Sequence, residues 1–209
     1  MTPAKAKASA RRIIAVTMGD AAGIGPELCL RLLAQESFAA DTVPLVIGDA
    51  RVLQRVGKLI GLPLKAKRLY SAPQELDEPA VLDLSGALAG QHVSPAKNQA
   101  ACGKAAASFV EEAVRLCQTG VTTAIVTAPL NKKALNLAGV DFPGHTEMLA
   151  HLTGSKRVAL LLYSDKLAVA FATLHQSLRS VSEKLTAERV VEVGTLLNRY
   201  LKMLRQRTP

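Results

Sequence analysis

The amino-acid sequence predicts an α/β fold, with a mixed but largely parallel sheet covered by helices in α/β/α layers. Short apolar runs alternate with longer segments of helical periodicity along the 209 residues, and this alternation is typical of strands joined by crossover helices. The strand candidates are continuously apolar, which indicates that both faces of the sheet are covered. Because 49% of the residues are hydrophobic, the chain can bury a core without disulfides.

The predicted elements follow one another in a regular order. Strands are predicted at 13–18, 43–48, 66–70, 80–84, 122–128, 157–163 and 167–174. Helices are predicted at 27–35, 50–61, 98–118, 130–138, 146–153 and 186–206. The segment 122–128 is the clearest signal of a buried strand, and we expect Thr186 to cap the last helix. So short a turn separates the last two strands that they must be antiparallel.

The net charge of +9 lies almost entirely at the two ends of the chain, and residues 13–198 carry only +1. Eight basic residues near the ends supply the rest: Lys5, Lys7, Arg11, Arg12, Arg199, Lys202, Arg205 and Arg207. A nucleic-acid binder usually presents basic side chains within its fold, interleaved with aromatic ones. With four Phe, three Tyr and no Trp, the sequence indicates no nucleic-acid partner.

Residues 1–12 are predicted to form a disordered basic tail. The apolar run that follows is too short for the core of a signal peptide, and no run approaches the roughly 18 residues of a membrane span. The three cysteines have no metal-ligand spacing and fit a reducing compartment. We therefore expect a cytoplasmic protein with no membrane partner.

A glycine-rich turn at 18–27 follows the first predicted strand. Gly19, Gly23 and Gly25 permit tight turns, and Pro26 suits the first turn of a helix. Such a helix start can bind an anion, but the spacing matches neither the dinucleotide fingerprint nor the P-loop. A plain strand–turn–helix connection explains the pattern equally well.

The segment 127–133 follows strand 122–128, and Pro129 is predicted to lie in the first turn of the next helix. Its Lys132 would then lie near the carboxyl end of a strand, where open α/β sheets bind ligands. A lysine in such a place binds phosphate or transfers a proton. We take Lys132 as a candidate catalytic residue, with a solvated helix face as the alternative.

Two histidines are further candidates. His145 precedes a short predicted helix, and Thr146 could cap that helix or bind a ligand. His175 ends a predicted apolar strand, and a neutral imidazole there can bind a metal. The alternative for each histidine is a purely structural role. His92 and His151 have no supporting polar cluster.

Four segments together resemble the 4-hydroxythreonine-4-phosphate dehydrogenase family of vitamin B6 biosynthesis. They are Thr17–Glu27, Thr127–Lys132, Ala138–Glu147 and Ala172–His175. The Gly-His-Thr-Glu block with its Ala-Gly-x-Asp-Phe-Pro lead-in is the specific part. Ala21 stands where the family commonly has proline, which is a change within a loop.

The resemblance implies a homodimeric enzyme of two lobes, with a fold like that of isocitrate and isopropylmalate dehydrogenases. Such enzymes use NAD or NADP and a divalent metal (Zn, Mg or Co) to oxidise the 3-hydroxyl of 4-phosphooxy-L-threonine. The product loses carbon dioxide and gives 3-amino-2-oxopropyl phosphate for pyridoxal phosphate biosynthesis. The resemblance assigns His145 and Thr146 to the phosphorylated substrate and His175 to the metal. It assigns no cofactor-binding residue.

The family's proteins are longer, and they draw two further metal-binding histidines from beyond the last residue of this sequence. We therefore expect residues 13–209 to be an incomplete two-lobed α/β region and the 209-residue chain alone to lack dehydrogenase activity. Two alternatives stay open. One is a related dehydrogenase of threonate or erythronate phosphate or of a dihydrodiol carboxylate, and the other is a non-catalytic dimerising fragment.

Overall fold

The computed structural model describes residues 11–35, 38–39 and 41–205. The chain divides into two compact units, with the first ending at Leu149 and the second beginning at Ala150. Of the predicted basic tail, residues 1–10 lie outside the described residues, and Arg12 already belongs to the first strand.

The first unit contains a sheet of five parallel strands in the order β3-β4-β2-β1-β5. The strands are β1 (Arg12–Thr17), β2 (Thr42–Gly48), β3 (Lys67–Leu69), β4 (Ala80–Asp83) and β5 (Ala124–Thr127). The helices are α1 (Gly25–Leu33), α2 (Ala50–Leu59), α3 (Ala100–Gln118) and α4 (Lys132–Leu137), with a short 3-10 helix at Ser85–Leu88. Helix α5 (His145–Thr153) begins in the first unit and ends in the second. The predicted α/β class with a largely parallel sheet is confirmed.

The strand order determines which face each helix covers. The crossovers through α1 and α2 move towards β3, whereas the crossover through α3 moves in the opposite direction to β5. Because such crossovers are right-handed, α1 and α2 lie on one face of the sheet and α3 on the other. Accordingly α1 packs on α2, and α3 packs on β1, β2 and β5. This is the predicted α/β/α layering.

The core lies where β2 and β1 are covered on both faces. Leu45, Val46 and Ile47 of β2 and Phe109 of α3 are completely buried. The prediction that the strand at 122–128 is buried is wrong, since Val126 of β5 is 52% exposed. β5 is an edge strand that pairs with β1 alone among the described residues. An apolar run does not reveal whether its strand is central or at an edge.

The second unit is built on an antiparallel ribbon of β6 (Leu161–Tyr163) and β7 (Ala168–Ala170). The antiparallel pairing is confirmed, but within the described residues the two strands form a sheet of their own. The unit also contains α6 (Leu178–Lys184), which the sequence analysis missed, and α7 (Ala187–Arg205). A helix of seven residues is too short to show a clear apolar period.

Capping and side-chain contacts hold α7 in place within the second unit. The Thr186 hydroxyl accepts a hydrogen bond from the Arg189 N–H at 3.2 Å, which confirms the predicted cap. The Arg189 guanidinium donates to the carbonyl oxygens of Ala172 (3.0 Å) and Val158 (3.2 Å). Across the part of the chain that the structure describes, no helix is both long and apolar enough to cross a membrane.

Candidate active site

The carboxyl ends of β1 and β5 lie side by side, with Thr17 paired to Thr127. The loops that follow the two strands therefore meet, and the Asp20 N–H donates to the Pro129 carbonyl at 3.0 Å. The structure thus brings together the first two segments that the sequence singled out. This edge of a parallel sheet is where α/β folds bind ligands.

Two glycines are required because the backbones approach so closely here. Gly19 has φ +69°, and a Cβ on it would lie 2.5 Å from the Pro129 carbonyl oxygen. A Cβ on Gly25 would lie 2.0 Å from the carbonyl oxygen of Met18. No real Cβ contact is so short, so packing of the turn explains the glycines at positions 19 and 25.

Asp20 closes the turn after β1. It is 6% exposed, and its carboxylate accepts the Ala22 N–H at 3.0 Å while its carbonyl accepts the Gly23 N–H at 3.0 Å. Burial, and then the charge of Asp20, raise the pKa of the Cys102 thiol. Cys102 is therefore held as a neutral thiol and is no candidate nucleophile.

Lys132 is the first residue of α4 and its side chain is exposed. The prediction that this helix starts at Pro129 is wrong, because Asn131 is the N-cap. The Asn131 side-chain oxygen accepts the Ala134 N–H at 3.1 Å, and its amide donates to the Asn98 side-chain oxygen at 2.8 Å. Asn98, which the sequence analysis did not consider, thus helps to fix the position of Lys132.

His145 is the first residue of α5, and Thr146 lies inside the first turn. The helix begins with the Met148 N–H donating to the Gly144 carbonyl at 3.3 Å, so Thr146 is not its cap. The His145 Nε2 atom is buried and has no hydrogen-bond partner among the described residues. Burial lowers the pKa of His145 below its ordinary value, which favours a neutral imidazole at neutral pH.

His145 should titrate at a lower pH in the folded chain than in the unfolded chain. As the pH falls below about 6.5, the unfolded state takes up the proton first, so protonation of His145 reduces the free energy of unfolding. An NMR titration of the imidazole carbon protons should give a midpoint below that of the same residue in urea. A midpoint at or above the value in urea would contradict the desolvated environment.

His175 belongs to the second unit. Its side chain is exposed, and its own backbone has φ +51°. β7 ends at Ala170, so His175 lies in a loop and not at the end of a strand as predicted. The amide nitrogen of the neighbouring Gln176 is buried without a partner among the described residues. Lys132, His145 and Thr146 belong to the first unit, and their convergence with His175 stays a prediction.

The described residues do not form a metal site by themselves. No group of three or more His, Cys, Asp or Glu side chains in this part of the chain is placed to hold an ion. A catalytic zinc typically has three protein ligands, and His175 supplies only one imidazole. We therefore derive no chemical step through a metal.

Comparison with known proteins decides the family. Residues 40–209 match the family of the pyridoxal phosphate biosynthetic protein PdxA. The chain belongs to this family. The resemblance drawn from the four sequence segments is thereby confirmed.

Individual relatives agree with this assignment. A D-threonate 4-phosphate dehydrogenase of Cupriavidus necator is 40% identical over 186 residues. A 4-hydroxythreonine-4-phosphate dehydrogenase of Trichlorobacter lovleyi is 35% identical over 183 residues. A solved structure described as 4-hydroxythreonine-4-phosphate dehydrogenase from Klebsiella pneumoniae is 38% identical, with a TM-score of 0.82.

These relatives are much longer than the present chain. The matches cover 87% of this chain but 56% of the C. necator protein, and 86% of this chain but 54% of the T. lovleyi protein. The match to the Klebsiella pneumoniae structure covers 94% of this chain and 60% of that protein. The chain therefore spans somewhat more than half the length of the relatives it matches.

Proposed function

We propose that this chain is, or is part of, a nicotinamide-dependent dehydrogenase of a four-carbon hydroxy acid that is phosphorylated at C4. Family membership supports this reaction class, since the named relatives are dehydrogenases of such acids. Within the chain, the proposal is carried by the buried, unpartnered Nε2 of His145 in the family's most specific motif. An unpaired buried nitrogen is costly, and a substrate hydroxyl or carboxylate would supply the missing partner.

Two substrates fit this proposal, and they differ at C2. D-threonate 4-phosphate is our first candidate, because the C. necator relative with that activity in its name is 40% identical. The second is 4-phosphooxy-L-threonine, which carries an amino group at C2, with a role in pyridoxal phosphate biosynthesis. The family's name and the T. lovleyi relative support this one.

The same bond changes serve both acids. The hydrogen at C3 leaves as hydride and the 3-hydroxyl loses its proton, so C3 becomes a carbonyl. The bond between C1 and C2 then breaks, C1 leaves as carbon dioxide and C2 takes up a proton. The products are dihydroxyacetone phosphate from the threonate and 3-amino-2-oxopropyl phosphate from the threonine derivative. NAD or NADP, when bound, would accept the hydride.

The residues of this chain would bind and orient the acid. The neutral imidazole of His145 and the hydroxyl of Thr146 would hydrogen-bond its polar groups, and Lys132 would hold a negative charge or move a proton. His175 as a ligand of a divalent metal is part of the proposal, with the remaining ligands contributed from outside this chain. We therefore expect no turnover by the 209-residue chain alone.

The homodimer implied by the resemblance also belongs to the proposal. One face of the β6–β7 ribbon exposes the cross-strand pair of Leu162 and Val169, at 59% and 39% exposure. Apolar residues exposed side by side are typical of an interaction surface. Light scattering of the purified protein tests this, and a monomer at micromolar concentration would contradict it.

The activity test compares both acids with NAD and NADP, using a protein of the relatives' full length. We expect reduced nucleotide and carbon dioxide from one acid, and we expect His145→Asn to lower kcat/KM by about 100-fold or more. His92→Asn is the matched control, because His92 lies exposed in a loop. Turnover of neither acid, or equal effects of the two substitutions, would refute the proposal. Activity on a dihydrodiol carboxylate alone would favour the alternative that the protein is a dihydrodiol carboxylate dehydrogenase.

A further inference from the structure

Four lysines border the contact between α3 and α4, and we call them the lysine seam: Lys97, Lys104, Lys132 and Lys133. The hydrogen bond from Asn131 to Asn98, at 2.8 Å, joins the start of α4 to the segment before α3. Lys132 directly follows Asn131 and Lys97 directly precedes Asn98. The residues that carry these two lysines, 35 positions apart in the sequence, therefore adjoin the same hydrogen-bonded pair.

The other two lysines adjoin a close contact between α3 and α4. Gly103 of α3 lies so close to α4 that a Cβ would be 2.1 Å from the carbonyl oxygen of Ala134. Lys104 directly follows Gly103 and Lys133 directly precedes Ala134. Both lysine side chains are exposed and flank the closest approach of the two helices.

The segments that carry the lysine seam contain no carboxylates. Segments 91–110 and 124–140 contain no Asp or Glu, although residues 13–198 as a whole carry only +1. Among the described residues, every ion pair is made by an arginine and none by a seam lysine. The Asp20 carboxylate lies at the same edge of the sheet, but it is buried and bound to the Ala22 N–H.

Like charges held together repel one another, and a bound anion of more than one charge removes that repulsion. Lysine is a common ligand for phosphate, which it binds as a point charge. The seam also begins at the carboxyl edge of the sheet, next to the loops after β1 and β5, where ligands of α/β folds are bound.

We propose that the lysine seam binds the phosphate group of a small molecule. This inference rests on the proposed function only for the source of the phosphate, which is either the phosphorylated acid or the nicotinamide nucleotide. It adds Lys97, Lys104 and Lys133 to Lys132, and it places a phosphate subsite on residues that this chain carries itself.

The test uses the 209-residue chain and two double variants. Lys97→Gln with Lys133→Gln removes two charges from the seam, whereas Lys58→Gln with Lys65→Gln removes two exposed charges elsewhere in the first unit. Calorimetry at low salt measures binding of pyrophosphate, D-threonate 4-phosphate, unphosphorylated D-threonate, NAD and NADP. We expect the seam variant to weaken binding of at least one phosphorylated compound by about tenfold or more. The control variant and unphosphorylated threonate should show no such effect.

The ligands separate the two sources of phosphate. An effect on the phosphorylated acid alone assigns the seam to the substrate, and an effect on the nucleotides alone assigns it to the cofactor. Equal binding by the seam variant and the control variant would overturn the inference. A different result would refute the proposed function and leave this inference standing: a protein of the relatives' length oxidises neither acid, while the lysine seam still binds phosphate.

Discussion

Replacing Gly103 by alanine should destabilise the first unit by about 3 kcal/mol. The new Cβ would lie 2.1 Å from the carbonyl oxygen and 2.3 Å from the carbonyl carbon of Ala134, and 2.7 Å from the backbone nitrogen of Leu135. These are backbone atoms of α4, which cannot rotate away as a flexible side chain would. The two helices must therefore separate, and the buried side chains between them lose contacts.

Gly194→Ala is the matched control, because Gly194 is also an interior residue of a long helix, α7. Apart from its two chain neighbours and the nearby backbone of α7 itself, no atom of the described residues lies within 4 Å of the position its Cβ would take. We expect this change to stabilise the second unit by up to about 1 kcal/mol, since alanine favours a helix more than glycine does. Hydrogen exchange under native conditions reports each unit separately. Effects of the same sign from both substitutions would contradict the close approach at Gly103.

Replacing Asp83 by alanine should cost about 3 kcal/mol of stability, since it removes the completely buried member of an ion pair. The Asp83 side chain is completely buried, and one oxygen accepts the Ala50 N–H at the start of α2 at 2.9 Å. Its other oxygen accepts the Arg68 Nε–H at 2.5 Å. The substitution leaves a partly buried guanidinium and a helix N-terminal N–H without partners.

Asp41→Ala provides the control, because Asp41 also pairs with an arginine, Arg12, but both side chains are more than half exposed. An exposed ion pair contributes at most about 1 kcal/mol. Asp83→Asn should fall between the two, since its amide oxygen can still accept the Ala50 N–H. Denaturant unfolding of the three variants measures the differences. A loss at Asp83 no larger than that at Asp41 would contradict the role of the buried pair.

Much of the fold could be predicted because periodicity reports burial directly. The continuously apolar runs at β1 and β2 became the centre of the sheet, and the long helical period at 98–118 became α3. Thr186 was identified as a cap from its position before a helical pattern. Each of these signals depends on neighbouring residues in the chain alone.

The errors arose where the outcome depends on distant residues. β5 reads like a central strand, but it lies at the edge of the described sheet and leaves Val126 exposed. α4 starts at Lys132 and not at Pro129, because the Pro129 carbonyl is taken by the Asp20 N–H and Asn131 supplies a cap. The contact from Asp20 comes from a distant part of the chain, whereas the Asn131 cap is local and was overlooked.

The sequence by itself determined the α/β class, the family and the candidate residues Lys132, His145, Thr146 and His175, because motif identity and periodicity are local properties. Only the tertiary structure decided that Asn98 bonds to Asn131 at the start of α4 and that α3 and α4 meet closely at Gly103. Parallel strands are joined through long crossovers, so the residues that meet at one edge of the sheet come from distant parts of the chain.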